Sequence, residues 1–204
     1  MGQIMLAQHG DGSLGHQAAV GMYRLRHEVF HDRLGWEVTS DNGMEHDEFD
    51  RANPVYVLVR GDEDEMLGCW RLLPTTGPNM LKDIFPQLLH GQPAPESSTV
   101  WEISRFAVAT EHCEGVGFGF SEVPLHMMRA SVRFAQHNGI SRYVAVTSVA
   151  VERMLRKVGV NISRFGPPIK IGRVLTVACS IEIDEITEFA LFGTLPEHAP
   201  RLAA

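Results

Sequence analysis

The chain has 204 residues, of which 44% are hydrophobic and 21% charged, and its formal net charge is −7. This apolar content is enough to build a core and excludes a disordered chain, and the negative charge argues against nucleic acid as a partner for the whole surface. Because no Pro-, Ser- or Gly-rich linker divides the sequence, we expect one domain over residues 1–204.

The spacing of apolar residues predicts helices and strands along most of the chain. In chain order these are a helix at 17–33, strands at 55–60 and 66–73, a short helix at 81–89, a strand at 100–108, a helix at 121–137, a strand at 143–149, a helix at 151–158 and a strand at 174–183. Polar segments with Gly or Pro at 39–54 and 92–98 are expected to be loops. Antiparallel strands followed by strand–helix–strand units predict an α/β sheet of mixed direction with helices on both faces.

The cysteines and the N-terminal segment indicate in which cellular compartment the protein is expected. Cys69, Cys113 and Cys179 are odd in number and far apart, so neither a disulfide framework nor a zinc spacing follows from them. The sequence has no basic region followed by an apolar run at its start, and no apolar run of membrane-spanning length. We therefore expect a cytoplasmic protein without membrane contact.

Charged residues interrupt two of the predicted strands. In the run WEISRF, strict alternation places Arg105 on one face and Glu102 and Phe106 on the other. This pattern indicates either an exposed ion pair or a cleft in which a carboxylate handles a proton. Arg71, within the strand at 66–73, is either exposed or a clamp for a carboxylate.

The segment His27–His31 reads H-E-x-x-H, which places two histidines one helical turn apart, as in zinc peptidases. The candidates for a third ligand are Glu45, His46 and Glu48. However, Arg26 and Asp32 flank the motif with charge, and ten histidines in the chain make a chance match easy. We therefore predict no metal and retain a zinc peptidase only as a minor alternative.

Two loops allow both a functional and a structural interpretation. The Gly-rich run Gly115–Gly119 precedes a predicted helix and could hold a phosphate through its backbone amides. His112 stands where acetyltransferases that bind coenzyme A have Gln or Arg, so a loop without a ligand is favoured. Asp47 and Asp50 form either a solvated acidic turn or a carboxylate cluster that faces a cationic ligand.

Several motifs occur together in one order along the chain. They are Arg26 with Phe30, Arg33–Trp36, Asp47 with Asp50, Gly68–Leu73, the run TTGPNMLKDIFPQLLHG at 75–91, and Trp101–Phe106. In this order they resemble the LuxI-type acyl-homoserine-lactone synthases, the autoinducer synthases of bacterial quorum sensing, over about residues 23–183. The runs TTGP, MLK, LLHG, SRFGP and KIG are most similar to the LasI-like members.

The resemblance implies a fold and a reaction. The expected fold is a GNAT-like α/β/α sandwich with a mixed, splayed central sheet. The expected substrates are S-adenosylmethionine and an acyl thioester, usually on acyl carrier protein, with no further cofactor. The amine attacks the thioester carbonyl, and the methionyl carboxylate then closes the lactone and expels methylthioadenosine.

The resemblance also implies roles for individual residues, with Glu102 as the general base. The implied catalytic residues are Glu102, Arg71, Asp47, Asp50 and Arg105. The residues implied to bind S-adenosylmethionine are Arg26, Phe30, Trp36, Asp47, Arg71, Arg105 and Phe106. The implied acyl pocket consists of Met80, Ile103, Leu125, Met128, Ala145, Val146, Thr147, Ser148 and Leu155.

A local excess of basic residues suits an acidic partner. Residues 141–173 contain seven Arg or Lys and one acid, Glu152. The resemblance implies that acyl carrier protein docks on Arg153, Arg156, Lys157, Arg164 and Lys170. The alternative interpretation is that these basic residues form a solvated helix face without a partner.

In the family, Thr at the position of Ala145 accompanies 3-oxo chains because its hydroxyl can bond the 3-oxo group. Ala145 therefore predicts an unsubstituted or 3-hydroxy chain. The similarity to the long-chain members of the family implies a length of about eight to twelve carbons, and flexible Met residues in the pocket tolerate chains of varied shape. The main alternative function is a GNAT-type N-acyltransferase that uses acyl-coenzyme A on another amine.

Overall fold

A computed structural model describes residues 2–109 and 121–193 of the protein. In chain order its elements are β1 (Gln3–Ala7), α1 (His16–His27), a π-helical turn (Glu28–Arg33), β2 (Ser40–Asp41), β3 (Met44–Glu45), a 3-10 turn (Glu48–Ala52), β4 (Val55–Arg60), β5 (Met66–Pro74), α2 (Met80–Asp83), a second 3-10 turn (Pro86–Leu89), β6 (Val100–Val108), α3 (Glu122–His137), β7 (Arg142–Ser148), α4 (Val149–Val158), β8 (Ile162–Arg164), β9 (Ile169–Ile171), β10 (Val174–Glu182) and α5 (Glu185–Phe192).

The main sheet has eight strands in the order β1-β4-β5-β6-β7-β10-β8, with β9 also paired to β10. Its pairs are antiparallel except β6 and β7, which run parallel. The parallel pairing extends only from Val100–Arg142 to Ile103–Ala145, although both strands continue beyond it. The sheet therefore splays between β6 and β7, which confirms the predicted mixed, splayed sheet.

Alternating side chains of the central strands build a core on each face of the sheet. On β4, Val57 and Val59 pack in the cluster that contains α3, whereas Tyr56 and Leu58 pack in the cluster that contains α1. This division follows from the two-residue period of a strand. A fully buried Val or Leu contributes about 1.5–3 kcal/mol, so these alternating positions fix which face each helix covers.

The predicted helix at 17–33 is not uniform. Its α-helical part ends at His27, and the chain continues as a π-helical turn in which Leu34 N–H donates to the Val29 carbonyl at 3.0 Å, five residues back. Single π-helical turns are frequent at functional sites. Here the turn carries Phe30, whose side chain is buried.

Other differences from the predicted elements have local causes. The predicted helix at 81–89 is two separate turns, because Pro86 lacks the N–H that a continuous helix needs and begins the second turn. The segment at 39–54, predicted as a loop, contains the β2–β3 hairpin and a 3-10 turn. The sequence patterns did not predict the short elements β1, β8, β9 and α5.

The Gly-rich run Gly115–Gly119, with His112 and Cys113, lies outside the described residues. Within the described ranges, the helices are all too short or too polar to cross a membrane.

Candidate active site

A buried ion network joins α1 to the segment that contains the β2–β3 hairpin. Arg26 donates from Nε to Glu45 at 2.5 Å and from its two Nη atoms to Asp50 at 2.9 and 3.0 Å. The side chains of Arg26 and Glu45 are 1% and 0% exposed. Because an unpaired charge at such depth is strongly destabilising, these groups must be matched in charge.

Arg71 on β5 and Arg105 on β6 complete this network. Arg71 donates to both Asp47 and Asp50, while Arg105 Nη2 lies 2.6 Å from Asp47 and 3.1 Å from Glu45. Three guanidinium groups thus face three carboxylates, and their formal charges cancel. The Arg71 side chain is 0% exposed, whereas Arg105 and Asp47 are 11% and 15% exposed and form the accessible edge of the network.

A short 3-10 turn sets the spacing of the two aspartates. The Asp47 carboxylate accepts the Phe49 N–H at 3.0 Å, and the Asp50 carboxylate accepts the Asp47 N–H at 2.9 Å. This reciprocal pair is a capping box, which satisfies two of the donors that the start of a helical turn leaves free. The D-x-x-D spacing in the sequence therefore has a structural cause as well as a chemical use.

Asp50 is the most connected carboxylate of the network. It accepts from Arg26, from Arg71 and from the Tyr56 hydroxyl at 2.7 Å. Burial would raise the pKa of Asp50, but Arg26 and Arg71 outweigh that effect and hold it well below the usual value. Asp50 is thus ionised at neutral pH.

Arg105 joins the network because its backbone departs from strand geometry. Its φ is +54°, in the left-handed region that non-glycine residues rarely adopt, next to a register irregularity between Cys69 and Arg71 on β5. Strict alternation predicted that Arg105 would face away from Glu102, and that prediction is wrong. The left-handed backbone lets consecutive side chains, Ser104 and Arg105, both reach the network, Ser104 by accepting from Arg71 Nε at 3.2 Å.

The same backbone feature displaces Phe106. Strict alternation predicted Phe106 on the face of Glu102, and its assignment to S-adenosylmethionine placed it beside Phe30 and Trp36. In the structure its ring lies 5.8 Å from that of Trp70, in the core cluster of α3. Phe30 belongs to the other cluster, on the α1 face. One left-handed residue before Phe106 moves every later side chain of β6 to the opposite face.

Glu102 is fully buried at the start of α2. Its two carboxylate oxygens accept the backbone N–H groups of Met80, at 3.0 Å, and Leu81, at 2.7 Å. Burial raises the pKa of Glu102, and the two amides and the charges of Arg71 and Arg105 offset this only in part. The group therefore holds a proton more tightly than an ordinary glutamate, as a general base near neutral pH should.

Two stacked aromatic rings border the accessible edge of the network. Phe30 and Trp36 are nearly parallel at 10°, with ring centroids 5.4 Å apart. Arg105 Cζ lies 5.4 Å from the Phe30 centroid. Trp36 is 43% exposed, so together with Phe30 it forms an open apolar wall beside Arg105.

An apolar cavity of about 90 Å³ lies where β6 and β7 diverge. Six predicted acyl-pocket residues line it, namely Ile103, Met128, Ala145, Val146, Thr147 and Leu155. Ser104 and Arg105 also line it, so the cavity meets the ion network at these two residues.

Three other predicted acyl-pocket residues are not part of this lining. Met80 contacts Arg105, whose Nη1 lies 3.3 Å from its sulfur, and so lies on the side of the ion network. Leu125 packs against the α3 core from outside. Ser148 caps α4 by accepting the Val151 N–H at 3.2 Å.

The five basic residues predicted for carrier docking are all exposed. Arg153, Arg156 and Lys157 lie on α4, Arg164 on β8 and Lys170 on β9. Glu152, the only acid of the segment, is fully buried and binds both Arg156 and Arg164, the latter at 2.7 Å. The acid is thus withdrawn from the surface, which leaves a basic face.

His27 and His31 lie close together, but the predicted third ligands do not accompany them. Their rings stack at 4.6 Å, and the third potential ligand nearby is Asp32, not Glu45, His46 or Glu48. Glu45 is unavailable because both its oxygens bind arginines.

Sequence reasoning also missed members of the site. Glu45 was not predicted as a residue of the active site, although it stands in the same acidic segment as Asp47. Tyr56 is the single polar side chain in the aliphatic run VYVLV, and that contrast was the available signal. The cavity residues Trp70, Ser131 and Cys179 carried no signal, since isolated apolar or small residues are usual in any core.

Comparison with known proteins relates this arrangement to one family. The family model described as autoinducer synthase matches residues 13–191. The acyl-homoserine-lactone synthase of Pseudomonas aeruginosa is 45% identical over 174 residues, which cover 84% of this chain and 86% of that protein. The enzyme of Aliivibrio fischeri is 42% identical over 146 residues, covering 72% and 75%.

Comparison with solved structures leads to the same family. The acyl-homoserine-lactone synthase LasI has a TM-score of 0.88 at 39% identity, with 98% of this chain and 99% of that chain covered. The coenzyme A-dependent synthase BjaI, in complex with S-adenosylmethionine and isopentyl-coenzyme A, has a TM-score of 0.84 at 25% identity, covering 95% and 89%. An N-acetyltransferase from Lactobacillus plantarum, at 13% identity and a TM-score of 0.59, shares the fold alone and confirms its GNAT-like character. The chain belongs to the autoinducer synthase family, and it is an acyl-homoserine-lactone synthase, an acyltransferase of bacterial quorum sensing.

Proposed function

We propose that this enzyme transfers an unsubstituted or 3-hydroxy acyl chain of about eight to twelve carbons, held in the apolar cavity, from acyl carrier protein to the amine of S-adenosylmethionine. The amide intermediate then closes to the lactone and releases methylthioadenosine. One observation carries the proposal: the apolar cavity and the charge-balanced network meet at Ser104 and Arg105. An acyl chain in the cavity would present its thioester carbonyl at this junction.

The charge of the site suits S-adenosylmethionine. The three arginines and three carboxylates of the network cancel, so an ionised Glu102 leaves one net negative charge. S-adenosylmethionine carries an ammonium, a sulfonium and a carboxylate, and hence one net positive charge. Asp47, at the accessible edge, can receive the ammonium, and Arg105 beside it can receive the methionyl carboxylate. Phe30 and Trp36 offer ring faces to the adenine or the sulfonium.

Glu102 takes the proton in this proposal. An ammonium has no lone pair, so its proton must leave before the nitrogen can attack the thioester carbon. Both Glu102 oxygens already accept one backbone N–H, but each keeps a second lone pair for the proton, which arrives directly or through a water. The nitrogen–carbon bond forms as the carbon–sulfur bond to the carrier breaks. In the second step a methionyl carboxylate oxygen attacks the γ-carbon, and the bond to the sulfonium breaks.

The experiment that tests the function is incubation of the purified enzyme with S-adenosylmethionine and a panel of acyl thioesters on carrier protein and on coenzyme A. Mass spectrometry reads the lactone and the methylthioadenosine together. We expect both products in equal amounts, with the highest kcat/KM for the carrier-bound donors. Acylation of S-adenosylmethionine without methylthioadenosine, or a lower kcat/KM with the carrier-bound donors, would contradict the proposal.

Charge reversal on the basic face tests the choice of carrier. Arg153→Glu should lower kcat/KM for acyl carrier protein roughly tenfold at low salt, because opposite charges steer the encounter of the two proteins. The loss should shrink as salt is added. Arg24→Glu, an equal charge change at an exposed position of α1, is the matched control and should have little effect. Equal losses in both variants would show that only net charge matters.

The Ala145 position tests the acyl preference. Ala145 lines the cavity and is 8% exposed, so a hydroxyl there would face the chain. With equal amounts of 3-oxo and unsubstituted donors, Ala145→Thr should shift the product ratio toward 3-oxo roughly two- to tenfold, the value of one net hydrogen bond. Ala145→Val matches the shape of Thr without the hydroxyl and should produce no such shift. A 3-oxo lactone as the main product of the unmodified enzyme would contradict the assignment.

A further inference from the structure

The junction of α1 with the π-helical turn presents a group of side chains that the proposed reaction does not use. His27 is the last residue of α1, and His31 and Asp32 lie in the turn that follows. One potential ligand atom from each of the three lies within 4.8 Å of the others. The imidazole rings of His27 and His31 are nearly parallel, at 12° and a centroid distance of 4.6 Å.

The polar atoms of the three side chains converge on one point. Asp32 Oδ1 lies 2.7 Å from His31 Nδ1 and 3.6 Å from His27 Nε2. Two imidazole nitrogens and one carboxylate oxygen form the donor set of zinc sites with three protein ligands and an open fourth position. In the structure Asp32 Oδ1 is hydrogen-bonded to His31 Nδ1, and a divalent cation would replace the proton between them.

Ser40 supports this arrangement by holding the Nδ1 side of the His27 ring. The Ser40 hydroxyl oxygen lies 2.6 Å from His27 Nδ1 and 3.2 Å from the Met44 carbonyl oxygen. With its proton directed to the carbonyl, Ser40 accepts the Nδ1–H of His27. A neutral His27 with its proton on Nδ1 carries its free lone pair on Nε2, the atom that faces Asp32. Metal-binding histidines are commonly oriented in this way, through a hydrogen bond from the ring nitrogen that does not bind the metal.

The adjustment that a bound ion requires falls on exposed groups. Ligand atoms around a tetrahedral zinc ion lie about 3.3 Å apart, given bonds of about 2.0–2.1 Å. The side chains of His31 and Asp32 are 53% and 56% exposed, so they can rotate toward this spacing without disturbing the core. His27, at 21% exposed and held by Ser40, provides the fixed ligand.

We propose that His27 Nε2, His31 Nδ1 and Asp32 Oδ1 form a binding site for one divalent transition-metal ion of the zinc type. The site differs from a peptidase centre, since its third ligand is the residue next to His31 and lies on the enzyme surface. It is separate from the ion network and from the acyl cavity, so it does not depend on the proposed function. The neighbouring residue Phe30 forms the apolar wall together with Trp36. A bound ion would therefore stabilise the π-helical turn that carries Phe30.

Titration of the intact, tag-free enzyme with Co²⁺ tests the site, after metal has been removed with a chelator. We expect one equivalent to bind and to produce a visible absorption band without the intense near-ultraviolet band of a thiolate ligand. His31→Gln should weaken binding roughly tenfold or more, since even the loss of a group that only orients a ligand has an effect of this size. Ser40→Ala should cause a smaller loss through the orientation of His27. His137→Gln, an exposed histidine on α3, is the matched control and should bind as the unmodified enzyme does.

Far-ultraviolet circular dichroism of each variant shows whether the fold is kept, and calorimetry with Zn²⁺ gives a second measure of affinity. Equal affinity in His31→Gln and in the control would overturn the proposal. So would a thiolate band, or no binding by the unmodified enzyme at millimolar Co²⁺.

Discussion

Replacing Arg26 with Met should destabilise the enzyme by about 3–5 kcal/mol, the usual result of removing one partner from a buried ion pair. Arg26 is fully buried and binds Glu45 and Asp50, so its loss leaves the buried network with one excess negative charge. Because small proteins have only about 5–15 kcal/mol of stability, the variant should unfold at much lower urea concentration or fail to accumulate. Urea denaturation followed by circular dichroism measures the change.

The double variant Arg26→Met/Glu45→Gln restores the charge balance and should recover part of the lost stability. If the double variant is less stable than Arg26→Met, with the effects of the two single substitutions on the free energy of unfolding simply adding, the charge explanation is wrong and packing alone is responsible.

The pH dependence of stability provides a second check. In the unmodified enzyme the pKa of Asp50 is depressed, so its contribution is complete above the unfolded value of about 3.9 and is lost as the pH falls toward the folded value. Without Arg26 that depression weakens, so the stability gap between the two proteins should narrow as the solution is acidified.

Glu102→Gln should reduce turnover by about 10²–10⁴-fold at saturating substrates while the protein remains folded, as expected for removal of a general base. The substitution keeps the shape of the side chain, but its NH₂ group cannot accept one of the two N–H groups of Met80 and Leu81. The stability lost through that unpaired donor should be about 1–3 kcal/mol, which the fold can tolerate. Steady-state assays with both substrates, together with thermal denaturation, separate the two effects.

Asn79→Ala is the matched control for this variant. Asn79 caps the same short helix, because its side chain accepts the Lys82 N–H at 3.0 Å. The control therefore weakens α2 without removing the carboxylate.

The pH dependence of kcat/KM distinguishes a catalytic role of Glu102 from a purely structural one. Burial raises the pKa of Glu102, so kcat/KM of the unmodified enzyme should rise with pH through a value above that of an ordinary glutamate, and the residual activity of Glu102→Gln should lack this step. Wild-type turnover in Glu102→Gln would remove the base from the mechanism.

Local patterns predicted most of the sheet and its helices well. The strand at 55–60 matches β4, the strand at 100–108 matches β6, and the other long elements agree within one or two residues, except that the helix at 17–33 becomes a π-helical turn after His27. Each of these is long and strongly periodic, so neighbouring residues alone determine its type. The missed strands β8 and β9 have three residues each and exist only because β10 pairs with them. No sequence window of that length contains a reliable period.

The sequence by itself determined the family, the mixed α/β architecture and the chemical groups of the site. The reason is that the order of the motifs and the period of the apolar residues can be read along the chain without its tertiary structure. Only the tertiary structure decided which of those groups meet. The left-handed backbone at Arg105 turned that side chain toward Asp47 and moved Phe106 into the cavity, against the two-residue period. Glu45 entered the network because α1, the β2–β3 hairpin and β6 converge on one point, a contact between residues 19 and 60 positions apart. The physical reason is that charge pairing in a buried site is optimised over the whole fold, and a local backbone can be strained to satisfy it.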